Sequence, residues 1–361
     1  MKHVLLPAAD GSDGGYRYYK INLHCHSVIS DGHKTVEQIK ADYKAHGYSA
    51  VAFTDHEIFL RHNDLTDEDF IALNGFEISV NEVTDDKRAR RTCHICLVAD
   101  DPDRETDVCY HRTKYVWGNA KAYRDIALHN DDEPDYERVY TPECVNDIMR
   151  RGKEAGFYVT YNHPAWSLES YPQYTAYTEA NAMEIVNYGC LADGFDDDNG
   201  HAYEDMLRKG QKLFCVATDD NHNAKPDSDV ASDSYGGCTM IAAKELSYAS
   251  VMEALRAGRF YSRGGSHVCE PPEIFSLTYE DEVPDANGEL QSYVTVRTSP
   301  ARTIWYMPCA RGCRSVFAPA GENVTEARFK VTAGEKWFRI VVIDDNGYKA
   351  YTNAYFPEDI K

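Results

Sequence analysis

The chain has no apolar run long enough to cross a bilayer, and its apolar leader Val4-Leu5-Leu6 is interrupted at Pro7 and Asp10, short of a signal-peptide core. Positive charge is also scarce. Lys plus Arg number 38 against 59 for Asp plus Glu, and the net charge of −21 repels long nucleic acid and anionic membrane wherever no local basic patch overrides it. Internal repeats, low-complexity stretches and any polymerase-like segment are missing. The 11 cysteines are odd in number and have no paired spacings, which argues for free thiols in a reducing compartment. The cytoplasm is therefore the expected location. A length of 361 residues exceeds one small core and fits a large domain, alone or with a smaller one.

Against this background, histidines and acids recur at the ends of strand-like runs. Ile21 to His26 reads as a short strand, and residues two apart on a strand share a face, so His24 and His26 present two imidazoles side by side. Thr35 and Gln38 form a capping-box pattern ahead of a helix that stops at Gly47. The next strand, Ser49 to Thr54, delivers Asp55-His56. Further strands place Glu77 and His94. A stretch from about 100 to 140 breaks the rhythm and reads as an insert that covers the site. Thr141-Pro142-Glu143 then starts a helix, and Phe157 to Tyr161 leads to His163. Ala182 to Asn187 is a strand carrying Glu184, and Lys212 to Thr218 runs into Asp219-Asp220-Asn221-His222.

Strands alternating with helices imply parallel strands, and polar residues arriving just after them match the rim of an α/β barrel. From 268 to 361 the grammar changes to short alternating strands with Asn287-Gly288 and Asp345-Asn346-Gly347 turns, so a small all-β, sandwich-like domain is expected after a barrel spanning 1–267.

The ordered set His24-Cys25-His26, Asp31, Asp55-His56, Glu77, His94, His163 and Asp220-Asn221-His222 resembles the metal-ligand motifs of the PHP (polymerase and histidinol phosphatase) superfamily over roughly residues 20 to 266. The Gly258 to Ser262 segment with its β-rich tail is similar to the stand-alone, carbaryl-hydrolase-like branch. The resemblance implies a distorted (β/α)7 TIM-like barrel holding two or three divalent ions, zinc, manganese or iron. It implies one ion at His24, His26, Glu77 and Asp220, a second at Glu77, His94 and His163, and a third at Asp31, His56 and His222. Some relatives have histidine where this chain has Asp31. Three ions would add roughly +6 to a carboxylate-rich cleft and make it attract anions. A hydroxide shared between ions about 3.5 to 4 Å apart could then attack a phosphate ester, with metal-bound water, Asp31 or, where the third ion is absent, His222 protonating the leaving oxygen.

The expected function is a metal-dependent phosphoesterase acting on a small phosphorylated molecule such as a nucleotide or sugar phosphate. Hydrolysis of a carbamate, carboxylic ester or cyclic phosphodiester, and a non-catalytic metal-dependent binding module, are the alternatives. Asp55 and Asp219 are expected to orient a loop or a neighbour, and Glu184 either does the same or is a buried hydrogen-bonded carboxylate. Arg263, before Gly264-Gly265, is the candidate to meet a phosphate through a flexible loop, with Lys225 and the Arg88 to Arg91 cluster behind it. The acidic run Asp196 to Asp198 reads as a solvated turn. Oligomeric state leaves no mark in the sequence.

Overall fold

The computed structural model describes residues 1–360; Lys361, counted in the expected β-rich domain, lies outside them. In chain order the elements are β1 (Lys2–Leu6), β2 (Arg17–Asn22), α1 (Val36–Ala45), β3 (Tyr48–Phe53), β4 (Ile71–Asn81), β5 (Thr92–Ala99), α2 (Pro142–Glu154), β6 (Phe157–Tyr161) and α3 (Tyr171–Tyr174). They continue with β7 (Ala182–Asn187), α4 (Tyr188–Ala192), α5 (Gly200–Arg208), β8 (Phe214–Thr218), β9 (Gly237–Ala243), α6 (Tyr248–Arg256) and β10 (Phe260–Gly264). The C-terminal strands are β11 (Ile274–Pro284), β12 (Leu290–Ala301), β13 (Thr303–Pro308), β14 (Arg314–Phe317), β15 (Val324–Val331), β16 (Phe338–Ile343) and β17 (Lys349–Thr352).

Local chemistry sets the helix ends as the sequence requires. Gln38 N donates to Thr35 Oγ1 at 3.3 Å while Thr35 N donates to the Gln38 side chain at 2.9 Å, closing the capping box of α1. Thr141 caps α2 ahead of Pro142, and Gly156, at φ +80°, turns the chain into β6.

The chain is an α/β protein with one large mixed sheet. Its strand order is β14-β13-β16-β17-β10-β9-β2-β3-β4-β5-β6-β7-β8. The pairs β2·β3, β3·β4, β6·β7 and β7·β8 are parallel, as strand-helix alternation predicts. In contrast, β5 runs antiparallel to both β4 and β6. The cause is the connection: only the polar segment 82–91 links β4 to β5, and a link that short closes an antiparallel pair but cannot carry a parallel crossover. This reversal positions the site, because it brings the start of β5, with His94, beside Ser79 near the end of β4.

Residues after 267 do not stand apart in the hydrogen bonding. Strand β10 pairs with β9 on one side and with β17 on the other, so the large sheet runs on into the C-terminal strands. A four-stranded sheet, β1-β11-β12-β15, recruits its edge from the N-terminus. Leu277, Val294, Val296 and Phe329 of this sheet share one apolar core with Ile304, Tyr306, Phe338 and Ile340 of the large one, a face-to-face packing of two sheets. No helix among the described residues is long and apolar enough to cross a membrane.

Candidate metal centre

The two histidines of the first motif lie just beyond the strand expected to carry them. Strand β2 ends at Asn22, and Cys25 then makes an isolated parallel bridge to Asn221, which keeps the segment extended. His24 and His26 therefore still face the same way, with their Nε2 atoms 3.1 Å apart and no exposed surface on either. His26 N donates to Asn221 O at 3.0 Å and Asp220 N to His24 O at 3.0 Å, so this segment and the loop after β8 hold each other.

Glu77 sits at the middle of the cluster. Its buried carboxylate is 3.2 Å from His24 Nε2, 3.4 Å from His26 Nε2, 3.0 Å from His56 Nδ1, 3.0 Å from His94 Nδ1 and 3.4 Å from His163 Nε2. Strand periodicity explains the convergence: Glu77 and Ser79 share a face of β4, opposite Cys96 and His94 on β5, while His56 bridges Glu77 from the end of β3. Asp220 Oδ1 is 3.1 Å from both His24 Nε2 and His26 Nε2. Asp31 and His222 close the outer end, 3.5 Å apart, with His26 and His56 each 3.7 Å from the Asp31 carboxylate.

All nine residues expected as metal ligands thus meet at one place, and they sort into overlapping groups. These are His26, Asp31, His56 and His222; His24, His163 and Asp220; His56, Glu77 and His94; and His24, Glu77 and Cys96. The partition differs from the one the resemblance implies: His26 groups with Asp31, His56 and His222, His163 with His24 and Asp220, His56 also with Glu77 and His94, and Cys96 joins His24 and Glu77. Cys96 had no signal in the sequence apart from its spacing of two from His94.

The donor set fits divalent ions. Three buried atoms at its centre, Glu77 Oε2, Asp220 Oδ1 and His56 Nδ1, have no hydrogen-bond partner, although leaving such atoms unpaired costs about 1–3 kcal/mol each. A tetrahedral ion about 2.0–2.2 Å from its ligands separates them by about 3.3–3.6 Å, close to the spacings seen. Burial alone would raise the Glu77 pKa, but the His94, His24 and His56 rings overcome it and hold it well below the usual range. Burial likewise opposes a charged His26, yet the Asp220 and Glu77 carboxylates beside it carry its pKa up to about 10.

Neighbouring groups fix the rings. His24 Nδ1 donates to Glu184 Oε1 at 2.7 Å, and Glu184 also accepts from Thr218 Oγ1, His163 N and Asn187 Nδ2. Glu184 therefore orients a neighbour, His24, one of the two roles open to it in the sequence. Asp55 accepts from Ser27 N and Ser30 N at 2.8 and 3.0 Å, and Asp219 accepts from Gly237 N and Tyr235 N at 2.7 and 2.8 Å, so both anchor loops as expected. His163 and Asp220 have left-handed backbones, at φ +25° and +52°, a strain of about 1–3 kcal/mol each that the surrounding bonds must hold.

Two expectations change. Asp197 is not on a solvated turn: it is fully buried and accepts from Ala165 N at 3.1 Å and Trp166 N at 2.9 Å, fixing the loop after His163. Arg263 is not on a flexible loop but within β10, between β9 and β17. It is only 3% exposed, pairs with Glu270 and Glu273, donates to Pro271 O and does not line the cleft. The sequence also gave no hint of the two tryptophans at the site. Trp117, from the 100–140 insert, lies 5.2 Å from the His56 ring, and Trp166 lies 5.2 Å from His94. The insert is pinned by Arg138, which pairs with Glu57 at 2.6 Å and donates to Ser79 O at 3.1 Å.

Above the cluster opens a cleft of about 700 Å³. Its walls include Trp117, Trp166, Leu168 and Phe195, and Lys87, Arg88 and Arg90 from the β4–β5 connection.

No family model matches the chain, and no curated protein matches it. Among solved structures, it is similar to a two-domain protein of Bacteroides vulgatus containing a predicted PHP-like metal-dependent phosphoesterase, at 16% identity and a TM-score of 0.46 over 97% of this chain and 98% of that one. It is also similar to a candidate metal-dependent phosphoesterase of Bifidobacterium adolescentis, at 16% identity and TM-score 0.34 over 57% and 89% of the two chains. An amidohydrolase of Chromobacterium violaceum with bound sulfate and no metal gives 16% identity and TM-score 0.35 over 56% and 87%. Likenesses of this degree assign no activity, which must be argued from the side chains.

Proposed function

We propose that this chain is a metal-dependent phosphoesterase of the PHP type that hydrolyses small phosphate monoesters. The observation that carries the reading is Glu77: one buried carboxylate within 3.4 Å of five imidazoles, with Oε2 left unpaired. A buried carboxylate can bridge two cations, and so dense a set of neutral nitrogen donors and carboxylates suits zinc, manganese or iron. Glu77, Asp220, His24, His26, His94 and His163 would hold two ions, and Asp31, His56 and His222 a third. When bound, such ions supply Lewis acidity and make water nucleophilic near neutral pH.

The chain's own residues do the rest. Glu184, through His24 Nδ1, leaves His24 Nε2 free to ligate, and the Asp220 carbonyl does the same for His222 by accepting from Nδ1 at 2.9 Å. With the third position unfilled, His222, about one-third exposed at the rim and 3.5 Å from Asp31, would hold a proton at Nε2 where a leaving oxygen would emerge. Burial and the charge of His26 disfavour that proton, but the hydrogen bond His222 donates to Asp31 and the charges of Asp220 and Asp31 outweigh them. Trp117 and Trp166 shield the ions from bulk water and offer apolar surface to the organic part of a substrate.

We also read β2 to β8 as a distorted barrel, supported by the contact between the two ends of that run at the Cys25–Asn221 bridge. The 11 unpaired cysteines support a cytoplasmic location. The test is a panel of phosphomonoesters with Mn²⁺ or Zn²⁺ supplied: metal-dependent release of inorganic phosphate from at least one supports the reading, and silence throughout with metal bound overturns it.

A further inference from the structure

The cleft is far larger than one phosphate needs, and its charge is unevenly distributed. The segment 82–91 is closed at its neck by Glu82 N donating to Arg91 O at 2.9 Å and by the Arg91 guanidinium on the Glu82 carboxylate, so residues 83–90 project from the edge of β4 and β5. This projection carries acids as well as bases. Lys87, Arg88 and Arg90 line the cleft, whereas Asp85 and Asp86 do not. Lys87 and Arg90 make no ion pair among the described residues, and Arg88 reaches only the exposed Asp86, at 3.6 Å. In a chain of net charge −21, three cations without strong partners at the mouth of one cleft are a local reversal of sign.

The same wall carries an aromatic and an apolar group. Thr92 N donates to Ser167 O at 3.1 Å, which ties the base of the projection to the loop bearing Trp166 and Leu168. Trp166 in turn stands 5.2 Å from the His94 ring, whose Nδ1 is 3.0 Å from Glu77. The cleft lining also includes Asp193 and Asp233, with Lys225 as a further cation, and none of these comes from the 82–91 segment. An anion is therefore favoured at the Lys87 end.

From this arrangement we infer that the substrate is a phosphate ester with a second anionic group, separated from the scissile phosphate by an organic spacer and held by Lys87, Arg88 and Arg90. The inference rests on the phosphoesterase reading and goes further by naming what the far end of the substrate carries. Charge-assisted contacts from two guanidinium groups and an ammonium suit a phosphate or a carboxylate equally well.

The test compares metal-loaded enzyme on hexyl phosphate, 6-(phosphonooxy)hexanoate and hexane-1,6-diyl bisphosphate, with inorganic phosphate release as the readout. The expected result is a kcat/KM at least about tenfold higher for one or both esters with a second anionic end than for hexyl phosphate, with the preference shrinking as salt rises. The carboxylate and bisphosphate arms show which anion is preferred. In the triple variant Lys87→Ala, Arg88→Ala, Arg90→Ala the ratio should fall to about one. Turnover of all three esters with no preference, or a preference the triple variant keeps, overturns this inference alone. No turnover of any ester overturns the phosphoesterase reading and this inference with it.

Discussion

Glu184 Oε1 lies 2.7 Å from His24 Nδ1, and neither side chain has any exposed surface. The carboxylate comes from the middle of β7 and the imidazole from the segment after β2, so one hydrogen bond fixes the ring that faces both Glu77 and Asp220.

Replacing Glu184 with Gln keeps the volume but removes the charge that stabilises the ligating tautomer of His24. Metal affinity should fall by about 10- to 100-fold. A chelator-competition titration measures this directly, and an unchanged dissociation constant would count against the orienting role.

Metal binding should strengthen with rising pH well past neutrality. His26 is raised to about 10, and His163 to about 9 by Glu77, Asp220 and Glu184 against the opposing effect of burial. Both rings therefore carry protons at pH 7 in the metal-free protein, and an incoming ion must displace them. The same shifts stabilise the metal-free fold, fully below the unfolded histidine pKa of about 6.5, with the contribution lost as pH rises through about 9 to 10. Affinity titrations from pH 6 to 10 should climb throughout; a plateau above pH 7 would contradict the assignment.

Arg138→Met should destabilise the fold by about 3–5 kcal/mol, because it strands Glu57, whose pair with Arg138 is nearly sealed from solvent at 2% and 5% side-chain exposure. Urea unfolding checks the value. A loss below about 1 kcal/mol would mean that the insert is not held by this pair.

Gly189→Ala tests the loop that presents Asp220. A Cβ at Gly189 would stand 2.6 Å from Asp219 O and 2.9 Å from Asp220 O, both backbone atoms that cannot swing aside. Asp220 must then move, and the variant should bind fewer ions per chain while remaining folded by circular dichroism. Full metal content would show that the loop has slack.

The candidate ligands are legible in the sequence because most are histidines or acids at or just after strand-like runs, a pattern that needs only local periodicity. His94 was legible as a residue but not in its placement: it lies near the start of β5, and only the antiparallel pairing with β4, decided by a short connection and by long-range packing, brings that end to the rim. Asp197 was misread because its partners are backbone N–H groups more than thirty positions away, on the loop after His163. Arg263 looked mobile beside two glycines, yet strand pairing on both sides buries it. Trp117 and Trp166 have no periodicity that points inward; the insert and the loop after β6 bring them in from outside the regular elements.

The most direct test of the account is the metal content of Glu77→Ala beside wild type and His222→Ala, by elemental analysis after loading with Zn²⁺ or Mn²⁺ and desalting. Two or three ions per chain in the wild type, a larger loss in Glu77→Ala and a smaller one in His222→Ala is the predicted outcome. Equal losses in the two variants, or a wild-type chain that retains no ion, would contradict it.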